Sequence, residues 1–302
     1  MGRKFHILDV FTGEAYNGNQ LAVVEDADDL TSEEMMKITK EFGYSETVFL
    51  QKSEIPTAAA KLRIFTLAGE IPFAGHPTVG VAVFLGEAKA RENDCAQDVL
   101  LVLDEQLGPV RCAISIGAGK ASYAEFDAPS LPEVLEGVPE ADLVADALSV
   151  SLMDIGFENH KMMMVQTGPK MLFVPMKNIQ VVREVSPDFS YWDQAFGKFE
   201  PMGIYVYCRD GVLATSGFHA RMFAPSLGFD EDAATGSAAA SFAAVVQNFE
   251  IDGQPSFETT IEQGYEMGRP SQIKLEIEFS NRAIKKVRVG GKAVLVASGE
   301  LM

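Results

Sequence analysis

Three side chains of this 302-residue sequence stand where acid–base chemistry could occur: Glu46, His76 and Asp232. Glu46 opens the apolar run SETVFL, in which alternation puts Val48 and Leu50 on its own side of a strand. A carboxylate sharing a face with two apolar side chains needs a reason to be there. His76 and Asp232 flank the starts of two segments without any charge, 77–85 (PTVGVAVFL) and 237–246 (SAAASFAAVV). Two carboxylates and a histidine around one small pocket can push their pKa values apart, leaving one group fit to take a proton and another to give it. Plainer readings exist for each: Glu46 as an edge-strand carboxylate, His76 as a helix cap, and Asp230-Glu231-Asp232 as a solvated loop.

The elements that must position these residues can be read around them. The two charge-free segments are too long and too rich in Ala and Gly for comfortable strands, and helices apolar all round must be buried on every side. Pro77 suits a first helical position, and Thr235 or Ser237 suits a cap. Each helix would start at a glycine-led turn, Gly75-His76 and Gly236-Ser237, and a helix N-terminus binds carboxylates through its unpaired N–H groups. The surroundings repeat: Arg63-Ile64-Phe65-Thr66 precedes the first start, and Arg221-Met222-Phe223-Ala224 precedes the second. A duplicated lobe follows, in which a sheet curls around one buried helix. Residues 126–142, with three prolines, suit the crossover between copies. TSEEMMKITKEFG (31–43) predicts a helix with a Thr31/Glu34 capping box closed by Gly43. Residues 117–120 predict a turn rather than a phosphate loop, and 285–301 a hairpin turning at Gly290-Gly291.

Composition narrows the chemistry. The net charge of −18 repels polyanions, which argues against nucleic acid and against an anionic membrane surface. No apolar run reaches the ~18–20 residues of a membrane-spanning helix, and the N-terminus reads as a strand rather than a signal peptide, so a cytoplasmic protein is expected. Cys95, Cys112 and Cys208 are widely spaced, and His6, His76, His160 and His219 show no ligand-like pairing, so neither a disulfide framework nor a metal site is expected. No dinucleotide fingerprint or nucleophile elbow is present, and no cofactor is expected. Met162-Met163-Met164 reads as core.

At the same residues the sequence resembles the phenazine-biosynthesis PhzF-like family, whose fold is that of diaminopimelate epimerase. The matching segments are GNQLAVV (18–24), SETVFL (45–50), PFAGHPTVG (72–80), TGPKMLFVP (167–175), DEDAATGSA (230–238), EQGYEMGRPS (262–271) and VGGKAVLVASGEL (289–301), in family order from end to end. The fold expected is α+β: two similar lobes, residues 1–120 with 285–302 and residues 121–284, each a curved, mostly antiparallel, barrel-like sheet around a central helix. The resemblance implies a homodimer and a substrate held between the lobes. It assigns catalysis to Glu46, His76 and Asp232, and substrate binding to backbone around Gly75, Gly236 and Ser237, with Asn19 as a further contact; Arg269 receives no role. Where the epimerase relatives carry paired cysteines before the two glycines, this chain has Ala74 and Thr235, so two-cysteine racemisation is excluded there. Gln20 and Ala233 stand where the family often has proline. The function expected is a cofactor-independent isomerase moving a proton within a small carboxylic or amino-acid-like substrate, with Glu46 as acid/base. The alternatives are a non-enzymatic small-acid or partner-binding protein on the same scaffold and a non-cysteine amino-acid epimerase.

Overall fold

The computed structural model describes residues 2–92, 98–117, 119–251 and 253–302. The chain first lays down β1 (Arg3–Val10), β2 (Asn19–Val24), α1 (Ser32–Phe42), β3 (Glu46–Gln51), β4 (Ala60–Thr66), β5 (Glu70–Ile71), α2 (Gly75–Glu92), β6 (Val99–Glu105), β7 (Gly108–Ser115) and β8 (Ser122–Asp127). A second series follows: β9 (Glu133–Leu135), α3 (Ala141–Leu148), β10 (Met163–Gln166), β11 (Lys170–Pro175), α4 (Ile179–Glu184), α5 (Trp192–Phe196), β12 (Gly203–Cys208), β13 (Phe218–Phe223), β14 (Glu231–Asp232), α6 (Gly236–Phe249), β15 (Ser256–Gln263), β16 (Ser271–Ser280) and β17 (Ala283–Leu301). The class is α+β.

Pairing follows one order twice. In the first series β1–β2 is antiparallel, β2–β3 parallel, β3–β4 antiparallel, β4–β6 parallel, and β6–β7–β8 antiparallel. In the second, β10–β11 is antiparallel, β11–β12 parallel, β12–β13 antiparallel, β13–β15 parallel, and β15–β16–β17 antiparallel. The parallel pairs are those joined through helices, as a parallel connection requires a crossover. β17 also pairs with both β8 and β1, closing β1, β2, β3, β4, β6, β7, β8 and itself into an eight-stranded barrel. The arginines of the sequence repeat occupy matching places: Arg63 on β4 binds Glu70 of β5, and Arg221 on β13 binds Glu231 of β14.

α2 packs against β1, β2, β3, β6, β7, β8 and β17, while α6 packs against β10, β11, β16 and β17. The small side chains of α6 let the sheet approach closely, and Gly236 to Val246 are all buried. Phe242 lies edge-on to Tyr207 and Phe218, with ring centroids 4.9 and 4.8 Å away. α1 carries the expected box, Thr31 accepting from Glu34 N and Glu34 reaching back to Thr31 N, with Gly43 left-handed at its end. Met163 and Met164 are core. The 117–120 segment joins β7 to β8, with Ala118 outside the described residues, as is Cys95; Cys112 and Cys208 are buried free thiols.

Two sequence expectations fail. Residues 285–301 form no hairpin, because β17 runs straight through Gly290-Gly291. These glycines serve close packing: a Cβ on Gly290 would lie 2.2 Å from the Tyr123 hydroxyl oxygen, and one on Gly291 2.3 Å from Phe11. Pro77 is the third residue of α2 rather than the first, still within the first turn, where a missing N–H costs no helical hydrogen bond.

Candidate active site

β3 is paired on both sides, with Leu21 of β2 and Thr66 of β4 opposite Glu46, so this carboxylate is not at a sheet edge. β14 pairs with β13 and sets Asp232 opposite Met222. Glu46, His76 and Asp232 are only 5, 2 and 4 % exposed, which removes the solvated-loop reading of Asp232. Glu46, Asp232, Thr235 and Ser237 line a cavity of about 200 Å³ whose wall is otherwise mostly apolar, with Phe73 and Met202 among its residues. Asn19, His76, Gly75 and Gly236 are not among the lining residues, but His76 Nε2 lies 3.6 Å from Glu46 Oε2, and Gly75 packs against Gly236-Ser237.

One amide joins the group. Asn19 Nδ2 lies 2.8 Å from Asp232 Oδ1, 2.9 Å from Ala234 O and 3.2 Å from His76 Nδ1, while Asn19 Oδ1 accepts from the Ser45 hydroxyl at 3.2 Å. Asp232 Oδ2 accepts from the Thr235 hydroxyl at 2.6 Å, so Thr235 spends its side chain on Asp232 and makes no side-chain cap for α6. Both oxygens of Asp232 are therefore acceptors. By contrast Glu46 Oε2 and His76 Nε2, 3.6 Å apart, have no hydrogen-bond partner among the described residues. Buried polar atoms left open in this way are costly unless a ligand completes them.

Burial, reinforced by the Asp232 charge, pushes the Glu46 carboxyl up to about 8 against the hydrogen bond from Ser45. Burial raises Asp232 to about 6, with the Thr235 and Asn19 hydrogen bonds opposing it. Burial drives His76 down to about 3, so its ring is neutral near pH 7, although the Gln20 backbone works the other way. The proton of the carboxylate pair thus sits mainly on Glu46, while the doubly hydrogen-bonded Asp232 carries the charge.

The two helix starts meet backbone to backbone. A Cβ on Gly75 would lie 2.6 Å from Gly236 Cα, and one on Gly236 2.9 Å from Gly75 Cα. Only glycine allows that approach, and it brings two partially positive N-termini together beside the carboxylates. Gln263 had not been singled out, yet its side-chain amide donates to Asp232 O at 2.8 Å and Thr235 Oγ1 at 3.0 Å, and its Oε1 accepts from Thr235 N at 3.1 Å. The one signal for it was its place inside the EQGYEMGRPS segment. His6, His160 and His219 lie elsewhere, each beside a glutamate.

The chain belongs to the phenazine biosynthesis-like proteins, whose profile matches residues 8–299. It is 40% identical over 302 residues to an uncharacterized isomerase of Mesorhizobium japonicum, covering 99% of this chain and 98% of that one. It is 32% identical over 298 residues to the trans-2,3-dihydro-3-hydroxyanthranilate isomerase of Pseudomonas fluorescens, covering 98% of both. A crystal structure of a PhzF-family phenazine biosynthesis protein from Bacillus anthracis superposes with a TM-score of 0.88 at 23% identity, covering 100% of this chain and 99% of that one. The chain is an isomerase of this family, and the non-enzymatic reading of its scaffold is set aside. No helix among the described residues is long and apolar enough to cross a membrane.

Proposed function

We propose that this isomerase works without a cofactor, taking a proton from an activated C–H of a small carboxylic acid at Glu46 and returning it elsewhere on the same molecule. The observation that carries the proposal is the pair of open, buried atoms, Glu46 Oε2 and His76 Nε2, 3.6 Å apart. A carboxyl whose neutral form is favoured is both a strong base when ionised and a good keeper of the proton between two transfers. His76, held neutral, and Asp232, held charged, would orient the substrate. The abutting starts at Gly75 and Gly236-Ser237 would take its carboxylate or a developing enolate oxygen. The mostly apolar wall suits a compact ring or short chain, and trans-2,3-dihydro-3-hydroxyanthranilate, the compound in the name of the P. fluorescens relative, is the first substrate to try.

We read the two strand series as duplicated lobes, each around its own helix, on the diaminopimelate epimerase pattern and with the substrate between them. The divide is drawn after β8 rather than at residue 120, because β8 pairs with β7 and β17. A cytoplasmic homodimer completes the proposal, and a light-scattering mass of one chain would remove the dimer.

The test is isotope uptake in D2O. Protein and its Glu46→Gln variant are incubated with the dihydro-hydroxyanthranilate and with a pool of small acids, then read by mass spectrometry and NMR. Isomerised, deuterated product is expected from the unaltered protein, with a loss of about 100- to 10,000-fold in Glu46→Gln. Near-normal turnover by Glu46→Gln would end the role of Glu46. Deuterium confined to an inverted α-carbon, with no shifted double bond, would favour the epimerase reading instead.

A further inference from the structure

We infer that Arg269 is a positioning residue for this reaction, acting through Asn19. The inference rests on the proton-transfer reading of the site above. Arg269 ends a tight turn after β15, its N–H bonded to Gly264 O at 2.9 Å. Its side chain reaches across to the β1–β2 loop, where Nε donates to Gly18 O at 2.9 Å and Nη2 donates to Asn17 O at 2.8 Å and to Asp9 Oδ1. Pro270 O accepts from Gly18 N at 3.2 Å. Residues 269–270 therefore hold Gly18 by both its N–H and its C=O. That carbonyl belongs to the peptide joining Gly18 to Asn19, the residue that touches both Asp232 and His76.

The backbone of this loop has little freedom of its own. Gly18 has φ +68°, and a Cβ there would lie 2.3 Å from Val10 O. Asp9, 2 % exposed, receives the Arg269 guanidinium on Oδ1 and the Tyr16 N–H on Oδ2, so the loop is gripped at residues 9, 16, 17 and 18. The same segment also supports the second half of the site. Gln263 fixes Asp232 and Thr235, and a Cβ on Gly264 would lie 2.5 Å from Ala233 O. One stretch, 263–270, thus sets Asp232 with one end and the Asn19 bridge with the other. Without the guanidinium, Gly18 keeps its N–H bond to Pro270 O, but the carbonyl of the Gly18–Asn19 peptide loses the Arg269 donor.

Arg269→Ala tests this in two readouts. In turnover, kcat should fall about 100-fold, the effect of displacing a reacting group by roughly 1 Å, with KM within about threefold. Millimolar guanidinium should restore part of it, and methylammonium should not, because the planar fork rather than the charge makes the bonds to the two carbonyls and Asp9. In carbon-13 NMR, the Asp232 carboxyl should titrate at higher pH in the variant, since a loosened Asn19 no longer holds its charged form. Turnover within twofold of the unaltered protein together with an unmoved Asp232 titration overturns the inference. The titration needs no substrate, so it decides the matter even if the unaltered protein turns over none of the acids tried, the result that instead defeats the proposed function. Should Arg269→Ala fail to fold, Arg269→Lys is read by the same titration, with the same two outcomes.

Discussion

At the scale of single residues, the distinguishing feature is that two carboxyls in one mostly apolar pocket are treated differently. Asp232 accepts hydrogen bonds on both oxygens, whereas Glu46 Oε2 has no partner among the described residues. The hydrogen bonds favour charge on Asp232, and that charge adds to burial in keeping Glu46 neutral. In the proposed mechanism Glu46 must be ionised to accept a proton, so activity is expected to fall as pH drops below the Glu46 value. With that carboxyl near 8, kcat/KM should rise about tenfold per pH unit through the neutral range and level above it. Asp232→Asn removes the like charge but not the burial, which is the larger cause. The Glu46 midpoint, followed by carbon-13 NMR, should therefore drop in that variant yet stay above the ordinary carboxylate value of 4.5. A Glu46 midpoint that did not move would show that Asp232 is not what Glu46 senses.

At the scale of elements, the start of α2 depends on another buried acid, Glu105 at the end of β6. Thr78 Oγ1 lies 2.7 Å from both Ala74 O and Glu105 Oε1. Among the described residues the Thr78 hydroxyl is the one donor to this carboxyl, and Glu105 Oε2 has no hydrogen-bond partner. Burial pushes Glu105 up to about 8 against the Thr78 hydrogen bond. With the folded value above the unfolded one, Glu105 costs nothing below about pH 4.5 and destabilises progressively from there to pH 8. Glu105→Gln, which keeps the shape and an acceptor for Thr78 but cannot ionise, should gain little stability at pH 4.5 and on the order of 3–5 kcal/mol at pH 8 in urea melts. An equal gain at both pH values would mean that ionisation is not the cause. How far such elements were legible depended on whether their cause was local. The Thr31/Glu34 box and the charge-free helices are patterns whose parts lie within a few residues of each other, and the Arg63 and Arg221 segments are readable because each is a short contiguous string that can be matched to the other. Gly290-Gly291 was misread because a glycine pair within a strand looks like a turn until Tyr123 and Phe11, far away in sequence, are seen packed against it. Gln263 and Arg269 were passed over for the same reason, since their partners Asp232 and Gly18 are 31 and 251 residues away.

At the scale of the whole molecule, the two strand series cannot separate without breaking β17. At Gly290 this strand pairs with Lys274 of β16 on one side and Glu125 of β8 on the other, so the barrel and the second series share one continuous hydrogen-bonded sheet. The Gly75–Gly236 contact and the grip of Arg269 on the β1–β2 loop join them again at the site. Glu46 comes from the first series and Asp232 from the second, so the pair exists only while these junctions hold. Unfolding should accordingly be a single transition, with calorimetric and van't Hoff enthalpies equal. Leu103→Ala on β6 and Phe242→Ala on α6, both at fully buried positions, should each destabilise by about 2–5 kcal/mol and move that one transition as a whole. If Phe242→Ala instead split the melt, leaving one part at the original midpoint, the series would be independent units. The electrostatic pairing of Glu46 with Asp232 would then have to survive relative motion of its two supports.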